Sequence, residues 1–391
     1  MNIEHLYKLV MNRIKPAFYY PLARLCILFK PLEKDKYLCI SMAGDNYGDN
    51  IKSLADYISK TDDKAEIVWA FTRKFRSVVK CDYKNVEIYS FRYYYHILTS
   101  KYILSNSRLN KRMLHKRKGQ TYLQTWHGTA LKRIGKDFKK KKMNWIQRML
   151  TPKTFRFDVA NTDMMISGSS FMTNIFRQKF EFKGPIYETG TPRNDVFFTH
   201  HPEIKEKVRK ALGIGNDDYI ILYAPTFRSA DSLSYYDIDL EKIRDNWKPA
   251  KGKKCHFVVR LHPLILHQTK QLKRVIKYEY TDASFYPDMQ ELLYASDLLV
   301  TDYSSSMFDF MYLHKPIILY TPDWDTYGIG CYFKLEELPF IVISCNEEIK
   351  EKLDSYNDET YYSDIDKFIE RIGSVERGDA SKQIYEILKK Q

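Results

Sequence analysis

A strand, a polar turn and a helix in succession around residue 300 constrain the fold more than any other stretch. Residues 296–301 are a short apolar run, which predicts a buried parallel strand. The turn that follows consists of Asp302, Tyr303, Ser304, Ser305 and Ser306. This turn predicts the start of a helix, which should end before Pro316. Residues 317–320 are apolar and predict the next strand. Backbone N–H groups at a helix start are unpaired, so this turn is either an ordinary cap or a phosphate site.

The same alternation of apolar runs and helical segments recurs along the chain. Further strands are predicted at 36–42, 66–71, 86–90, 102–106, 121–126, 219–224 and 256–260. Strands that alternate with helices predict an α/β protein with parallel sheets, whose ligands bind at the carboxyl ends of strands.

The length of 391 residues favours two domains. We expect an amphipathic segment at 1–35, an N-terminal domain at 36–200 and a C-terminal domain at 201–391. As an alternative within this division, the last helix of the chain packs back on the N-terminal domain.

The charge of the chain indicates anionic partners. The net charge is +14, with a sequence pI near 9.2, which favours nucleic acid, acidic lipid or phosphorylated molecules. The six cysteines are scattered, as in a reduced intracellular protein without a disulfide framework or a zinc site. No apolar run is long enough to cross a bilayer, and charged residues interrupt any signal-peptide pattern at the N-terminus.

Charged side chains follow three of the predicted strands. His127 follows the run at 121–126, Arg228 follows 219–224, and Arg260 and His262 follow the next strand. Each residue alone fits a structural histidine or a surface ion pair. In an open parallel sheet, however, these strand ends share one crevice. We therefore expect Arg228, Arg260, His262 and the serine turn to surround an anion pocket, with His127 facing it from the first domain.

Two basic and apolar segments suggest a membrane surface. Residues 1–31 mix lysine and arginine with aromatic and aliphatic residues, which fits an interfacial helix or a helix packed on the core equally well. A second segment contains Lys139, Lys140, Lys141, Lys142 and Trp145. It suits an anionic membrane or polymer, and the alternative is a solvated loop. No nucleic-acid recognition motif accompanies it.

Five motifs resemble those of one family when taken together. They are Trp126-His127-Gly128-Thr129, Gly190-Thr191-Pro192-Arg193-Asn194-Asp195, Ala224-Pro225-Thr226-Phe227-Arg228, Arg260-Leu261-His262-Pro263 and Thr301-Asp302-Tyr303-Ser304-Ser305. In this order they resemble the CDP-glycerol glycerophosphotransferase family of bacterial teichoic-acid primases and polymerases, over residues 36–340.

The resemblance implies a GT-B architecture, with two Rossmann-like domains facing across a cleft. It also implies transfer of a polyol phosphate, preferably glycerol phosphate, from a CDP-activated donor to a hydroxyl of a lipid-linked glycan or polyol-phosphate acceptor. CMP is released, and the product belongs to teichoic acid or a capsule-type polymer. The enzyme is then expected on the cytoplasmic face of the membrane, as a peripheral protein on its anionic surface.

The resemblance also assigns roles to residues. His127 matches the proposed base. His262 is the second catalytic candidate, expected close to the donor phosphate, where it would hydrogen-bond or protonate it. The donor set comprises Thr226, Arg228, Arg260, Asp302, Ser304, Ser305 and Ser306. Weaker candidates are Gly128, Glu188, Arg193 and Asp309.

Several points stay open in the sequence. No cofactor is predicted to be required, because CDP-glycerol or CDP-ribitol is a substrate, but a divalent metal is left open, as are the acceptor and the oligomeric state. A nucleotide-sugar glycosyltransferase on the same fold is one alternative. A non-catalytic protein that binds anionic polymer or membrane is the other, while nucleic acid is not an expected partner.

Overall fold

The chain divides into two units by its backbone contacts. The computed structural model describes residues 3–137, 154–226, 235–261, 278–325 and 330–391, with side-chain burial from residue 14 onward. The first unit comprises Met1–His127, Lys140–Asp195 and Val375–Gln391, and the second comprises Gly128–Lys139 and Val196–Ser374. The division after Asp195 lies close to the boundary expected at residue 200.

The first unit is built on a seven-stranded sheet in the order β3-β2-β1-β4-β5-β6-β7. All of its paired strands run parallel. The strands are β1 (Glu33–Ile40), β2 (Glu66–Phe71), β3 (Lys84–Glu87), β4 (Ser100–Ser105), β5 (Thr121–Gln124), β6 (Met164–Ser167) and β7 (Ile186–Glu188).

Both faces of this sheet are covered, as is usual for parallel strands. Leu38 and Ile103 belong to a core cluster on one side, while Tyr37 and Trp69 belong to a cluster on the other. The helices of this unit are α1 (Ile3–Cys26), α2 (Asp49–Thr61), α3 (Arg73–Arg76), α4 (Phe91–Thr99), α5 (Thr154–Asn161), α6 (Ser170–Gln178) and, at the end of the chain, α13 (Ala380–Lys389).

The end of the chain packs on the first unit. Tyr102 on β4 donates its hydroxyl to the carbonyl of Leu388 on α13 at 2.9 Å. Ile384 and Leu388 of α13 join the same core cluster as Ile58 of α2. The residues that follow Ser374 therefore complete the first unit, although Val196–Ser374 of the second unit separate them in sequence from the rest of it.

The second unit contains a six-stranded sheet in the order β10-β9-β8-β11-β12-β13. Its paired strands are also parallel. The strands are β8 (Tyr219–Tyr223), β9 (Cys255–Val259), β10 (Thr281–Asp282), β11 (Leu298–Thr301), β12 (Ile317–Tyr320) and β13 (Ile341–Ile343). The helices are α7 (Pro202–Leu212), α8 (Leu240–Asn246), α9 (Met289–Ala295), α10 (Ser306–Phe310), α11 (Ile349–Asp354) and α12 (Asp358–Arg371).

The sequence predicts one helix from the serine turn to just before Pro316, and the observed helix is shorter. The α-helix α10 contains only five residues, and a 3-10 turn at Met311–Leu313 continues it. His314 ends this turn with a left-handed φ of 46°. The dipole at the start of α10 is correspondingly small, because a short helix aligns few peptide units.

Helix α1 packs along one side and leaves an apolar face open. Ala23 and Ile27 are buried in the core of the first unit, and Tyr20 stacks on His115 with ring centroids 3.8 Å apart. The exposed large hydrophobic residues of this segment are Ile14, Phe18, Leu22, Leu25, Leu28 and Phe29. Within the described ranges, no helix combines the length and the apolar character needed to cross a bilayer.

Candidate functional site

His127 lies just beyond the carboxyl end of β5, in a turn with unusual backbone geometry. Trp126 has a φ of 54° and Gly128 a φ of 111°, so left-handed residues flank the histidine on both sides. A left-handed backbone suits glycine, but in a bulky residue such as tryptophan it costs about 1–3 kcal/mol of conformational strain. Trp126 is only 5% exposed, and burial of its indole holds the turn in place.

The imidazole of His127 is fixed on one edge. Its Nδ1 lies 2.8 Å from the carbonyl oxygen of Asn106, in the loop after β4. A carbonyl oxygen can only accept, so Nδ1 carries the hydrogen and Nε2 of the neutral ring keeps a free lone pair. The ring also stacks on the indole of Trp126, with centroids 4.3 Å apart.

The surroundings of His127 keep it neutral. Burial lowers the pKa of His127 below its usual value of 6.5, and this is the largest effect. The hydrogen bond to Asn106 and the charge of Asp49 act in the opposite direction, while Arg193 and Arg108 lower the pKa further. At neutral pH the side chain is therefore a proton acceptor.

Two other loops at the same edge hold the histidine turn. Asn50 donates from Nδ2 to the carbonyl of Trp126 at 3.1 Å. Arg193 donates from Nη1 to the carbonyl of His127 and to the carboxylate of Asp49, each at 3.0 Å. Sequence reasoning missed Asp49, Asn50 and Asn106, although Asp49 and Asn50 open α2 directly after the turn-rich loop that follows β1.

The loop containing Arg193 also anchors the end of the chain. Glu376 accepts from the backbone N–H of Thr191 at 3.1 and 3.0 Å and from its hydroxyl at 2.6 Å. Asp195 accepts from the backbone N–H groups of Ala380 and Ser381, both at 2.9 Å, at the start of α13. Most of this motif therefore stabilises the fold of the first unit.

Glu188 stands apart from this network. It is the last residue of β7, and its side chain is exposed. No hydrogen bond or ion pair joins its side chain to another residue in the described part of the chain.

In the second unit, Asp302 joins two strand ends. Its carboxylate accepts from the backbone N–H of Thr226 at 2.9 and 3.1 Å and from the hydroxyl of Thr226 at 2.9 Å. It also accepts from the N–H of Tyr303 at 2.6 Å. Because β8 and β11 are neighbours in the sheet, this bridge fixes the loop after one strand against the turn after the other.

The serine turn is organised around Ser304. The N–H and the hydroxyl of Ser306 both donate to Oγ of Ser304, at 3.3 and 2.8 Å. Ser305 is the N-cap residue of α10, but its side chain accepts no capping bond. Ser304 and Ser305 are half-buried and Ser306 is buried.

Arg260 and Asp309 make structural contacts. Arg260 donates from Nη1 to the carbonyl of Tyr286 at 2.7 Å, and burial lowers the pKa of this guanidinium to about 10. It is therefore still charged at neutral pH. Asp309 is 4% exposed and accepts from Nε2 of Gln290 at 3.1 Å, a bond that connects α10 to α9. No hydrogen bond joins Arg260 to the serine turn among the described residues.

The remaining predicted residues cannot be placed in this way. Arg228 and His262 lie outside the described residues, as do Lys139, Lys140, Lys141, Lys142 and Trp145. In the part of the chain that the structure describes, no three His, Cys, Asp or Glu side chains form a group that could hold a metal ion.

Comparison with known proteins decides the family. A family model described as CDP-glycerol:poly(glycerophosphate) glycerophosphotransferase matches residues 22–390. The chain belongs to this family. It is therefore a transferase, and the family relationship implied by the five sequence motifs is confirmed.

Relatives in this family have names from teichoic acid synthesis. The chain is 30% identical to a teichoic acid poly(glycerol phosphate) polymerase of Bacillus spizizenii, over 89% of this chain and 90% of the relative. It is also 30% identical to a teichoic acid glycerol-phosphate transferase of Staphylococcus aureus, over 96% of this chain and 98% of the relative. The match to the teichoic acid poly(glycerol phosphate) polymerase of Staphylococcus epidermidis covers 50% of that relative's length.

Solved structures confirm the fold class. The wall teichoic acid polymerase TagF superimposes with a TM-score of 0.80 at 29% identity, over 99% of this chain and 96% of that chain. A UDP-N-acetylglucosamine 2-epimerase from Listeria monocytogenes matches with a TM-score of 0.51 at 14% identity, over 91% of this chain and 96% of that chain. The epimerase shows a shared fold alone. The two parallel-sheet units are those of a GT-B protein.

Proposed function

We propose that this protein transfers glycerol phosphate from CDP-glycerol to a hydroxyl of a lipid-linked acceptor and releases CMP, in teichoic acid or capsule-type polymer synthesis. The family and the relatives named for glycerol-phosphate transfer support the donor. A ribitol-phosphate polymerase of Bacillus spizizenii is 27% identical over only 51% of this chain, which favours glycerol over ribitol. The observation that carries the proposal is the neutral, oriented imidazole of His127.

His127 is the general base in this proposal. With Nδ1 held by Asn106, Nε2 is the atom that accepts the proton of the acceptor hydroxyl. The hydroxyl oxygen forms a bond to the β-phosphorus of the donor. The bond from that phosphorus to the bridging oxygen breaks, and its electron pair leaves with CMP. The product is a phosphodiester.

The second unit binds the donor diphosphate in this proposal. Asp302 holds the loop at Thr226 against the serine turn by accepting from the N–H groups of Thr226 and Tyr303. In this proposal the donors that face the diphosphate are the N–H groups of Ser304 and Ser305, whose directions this bridge fixes. Fixed donors and positive charge stabilise the charge that develops on departing CMP. Arg228 and His262 supply the positive charge and the phosphate contact, as the family resemblance implies.

A membrane-bound acceptor fits the exposed face of α1. The exposed fractions of Ile14, Phe18, Leu22 and Leu25 are 55%, 65%, 43% and 73%. Their spacing of three or four residues places them on one helical face. Arg24 is also exposed, and apolar residues with nearby positive charge suit an anionic lipid surface. We infer that this face lies on the cytoplasmic side of the membrane.

Mass spectrometry of a short lipid acceptor tests the reaction. The acceptor is incubated in parallel with CDP-glycerol, CDP-ribitol and a nucleotide sugar. We expect a mass increase of one or more glycerol phosphate units and an equal amount of CMP. Transfer of a sugar alone contradicts the proposal and supports a glycosyltransferase.

Liposome flotation tests the membrane face. We expect Phe18→Ser combined with Leu25→Ser to reduce recovery with anionic vesicles. Phe285→Ser is the matched control, because Phe285 is 81% exposed in the second unit. Unchanged recovery of the double variant contradicts the role of α1, and equal recovery of the wild type with neutral and anionic vesicles contradicts the electrostatic part.

A further inference from the structure

The direction of the His127 side chain depends on the two carbonyl groups beside it. Left-handed residues lie on both sides of His127, and such a turn has several accessible shapes unless its polar groups are held. The carbonyl of Trp126 accepts from Asn50 at 3.1 Å, and the carbonyl of His127 accepts from Arg193 at 3.0 Å. Both carbonyl groups are therefore held by side chains that lie outside the turn.

The two side chains that hold the turn are also joined to each other. Oδ1 of Asn50 accepts from the backbone N–H of Arg193 at 3.2 Å. Asn50 belongs to α2, which follows β1, and Arg193 belongs to the loop after β7. The turn after β5 is thus tied to segments that follow strands on either side of β5 in the sheet.

Arg193 additionally pairs with a half-buried carboxylate near the histidine. Its guanidinium pairs with Asp49 at 3.0 Å, and the two side chains are only 7% and 13% exposed. A poorly solvated ion pair has a strong effect on charges nearby. A guanidinium can contact a carboxylate and a carbonyl at once, because its N–H groups are arranged in a fixed fork.

We propose that Arg193 is a positioning residue for phosphate transfer, which fixes the His127 turn through its carbonyl and through Asp49, and that it is not a ligand of the donor phosphate. The proposal rests on the role of His127 given above. A phosphate ligand must expose its guanidinium, whereas this side chain is only 7% exposed and donates to Asp49 and to the carbonyl of His127 within the first unit.

Three variants and one control separate this role from simple stabilisation. Arg193→Gln removes both contacts, Arg193→Lys keeps the charge without the fork, and Asp49→Asn removes the carboxylate. The control is Arg177→Gln, because Arg177 also donates to backbone carbonyls, those of Phe182 and Gly184 at 3.0 and 2.6 Å. Thermal unfolding identifies variants that do not fold.

The kinetic result follows from positioning. We expect Arg193→Gln to lower kcat by about 10- to 100-fold while the KM for CDP-glycerol changes less than about twofold, because misplacing a catalytic group affects the chemical step. Arg193→Lys should recover part of the loss. Arg177→Gln should retain wild-type kcat. A rise in KM of tenfold or more with unchanged kcat overturns the proposal, since it indicates a phosphate ligand, and so does an unchanged kcat and KM.

The titration of His127 gives a readout that does not need activity. The groups whose charges act on its ring are Asp49, Arg193 and Arg108. NMR titration of labelled histidine, assigned by loss of one signal in His127→Gln, should show a raised pKa in Arg193→Gln and a lowered pKa in Asp49→Asn. If Arg193→Gln fails to fold, Asp49→Asn still tests the proposal, and an unmoved or raised pKa there overturns it. If the variants show these shifts but the wild type transfers no glycerol phosphate, the proposed function alone is contradicted.

Discussion

The strand ends of the first unit and those of the second use polar side chains differently. Around His127, the side chains of Asn50 and Arg193 hold one backbone turn, and the backbone carbonyl of Asn106 holds the imidazole. Around Asp302, a single carboxylate holds the loop after β8 against its own turn. The first arrangement presents one oriented side chain. The second fixes a backbone turn, and it does so by using the N–H groups of Thr226 and Tyr303.

This difference suggests a division of work between the units. An imidazole that accepts a proton must be neutral and correctly directed, and burial with several hydrogen bonds achieves both. A diphosphate needs several donors and positive charge, and a fixed turn supplies the donors. Substitutions in the first unit should therefore act on kcat, and substitutions in the second should act on donor binding.

Removing the imidazole should have the largest effect. We expect His127→Ala to lower kcat by about 100- to 10,000-fold, the usual contribution of a general base. CMP release from CDP-glycerol in the presence of acceptor measures it. His314→Asn is the control, because His314 is exposed, pairs with Asp366 at 2.8 Å and has a left-handed backbone that asparagine tolerates. Similar activity of the His127 and His314 variants contradicts the assignment of the base.

Removing the carboxylate of Asp302 should have the next largest effect. Asp302→Ala leaves the N–H groups of Thr226 and Tyr303 without their acceptor, which costs about 1–3 kcal/mol for each donor that stays buried. We expect CDP-glycerol to bind at least about tenfold more weakly, a difference near 1.4 kcal/mol. Calorimetric titration of the folded variant checks this, and tight binding with lost kcat contradicts the division of work.

A smaller effect is expected at Thr226. Thr226→Val keeps the shape and the backbone N–H but removes the hydroxyl that donates to Asp302 at 2.9 Å. The expected loss of unfolding free energy is about 1 kcal/mol, with a donor affinity between those of wild type and Asp302→Ala. Chemical unfolding measures the first quantity. A larger loss than in Asp302→Ala means that the hydroxyl acts independently of the carboxylate.

The pH dependence should separate the two units. Because the pKa of His127 is lowered by burial, the base stays unprotonated at neutral pH, and kcat/KM should fall only as the pH drops through a value below 6.5. Asp302→Ala should keep this acidic limb where it lies in the wild type, since Asp302 belongs to the other unit. If the acidic limb of the profile shifts to another pH in Asp302→Ala, the titrating group lies in the second unit.

The sequence predicts most of the strands and the position of His127 because both depend on local pattern. Apolar runs of four or more residues gave β2 and β12 with their observed bounds. Strands such as β7 and β10, with three and two residues, are too short to show a pattern. A polar residue directly after an apolar run is likewise visible without a structure.

The partners of His127 depend on information that no local pattern contains. Asn106 reaches the histidine because β4 lies beside β5, and Asn50 reaches the carbonyl of the neighbouring Trp126 because β1 lies beside β4. Strand order is set by the packing of the whole sheet, so these contacts span 21 and 76 residues of sequence. For the same reason the sequence placed Arg193 in the right motif without indicating its contacts.

The central claim is that the first unit supplies the base while the second binds the donor, and one pair of titrations tests it most directly. CDP-glycerol is titrated into His127→Ala and into Asp302→Ala, with turnover measured on the same samples. The account predicts that His127→Ala binds the donor within about twofold of wild type but does not turn over, while Asp302→Ala binds at least about tenfold more weakly. Loss of donor binding in His127→Ala together with wild-type binding in Asp302→Ala would contradict it.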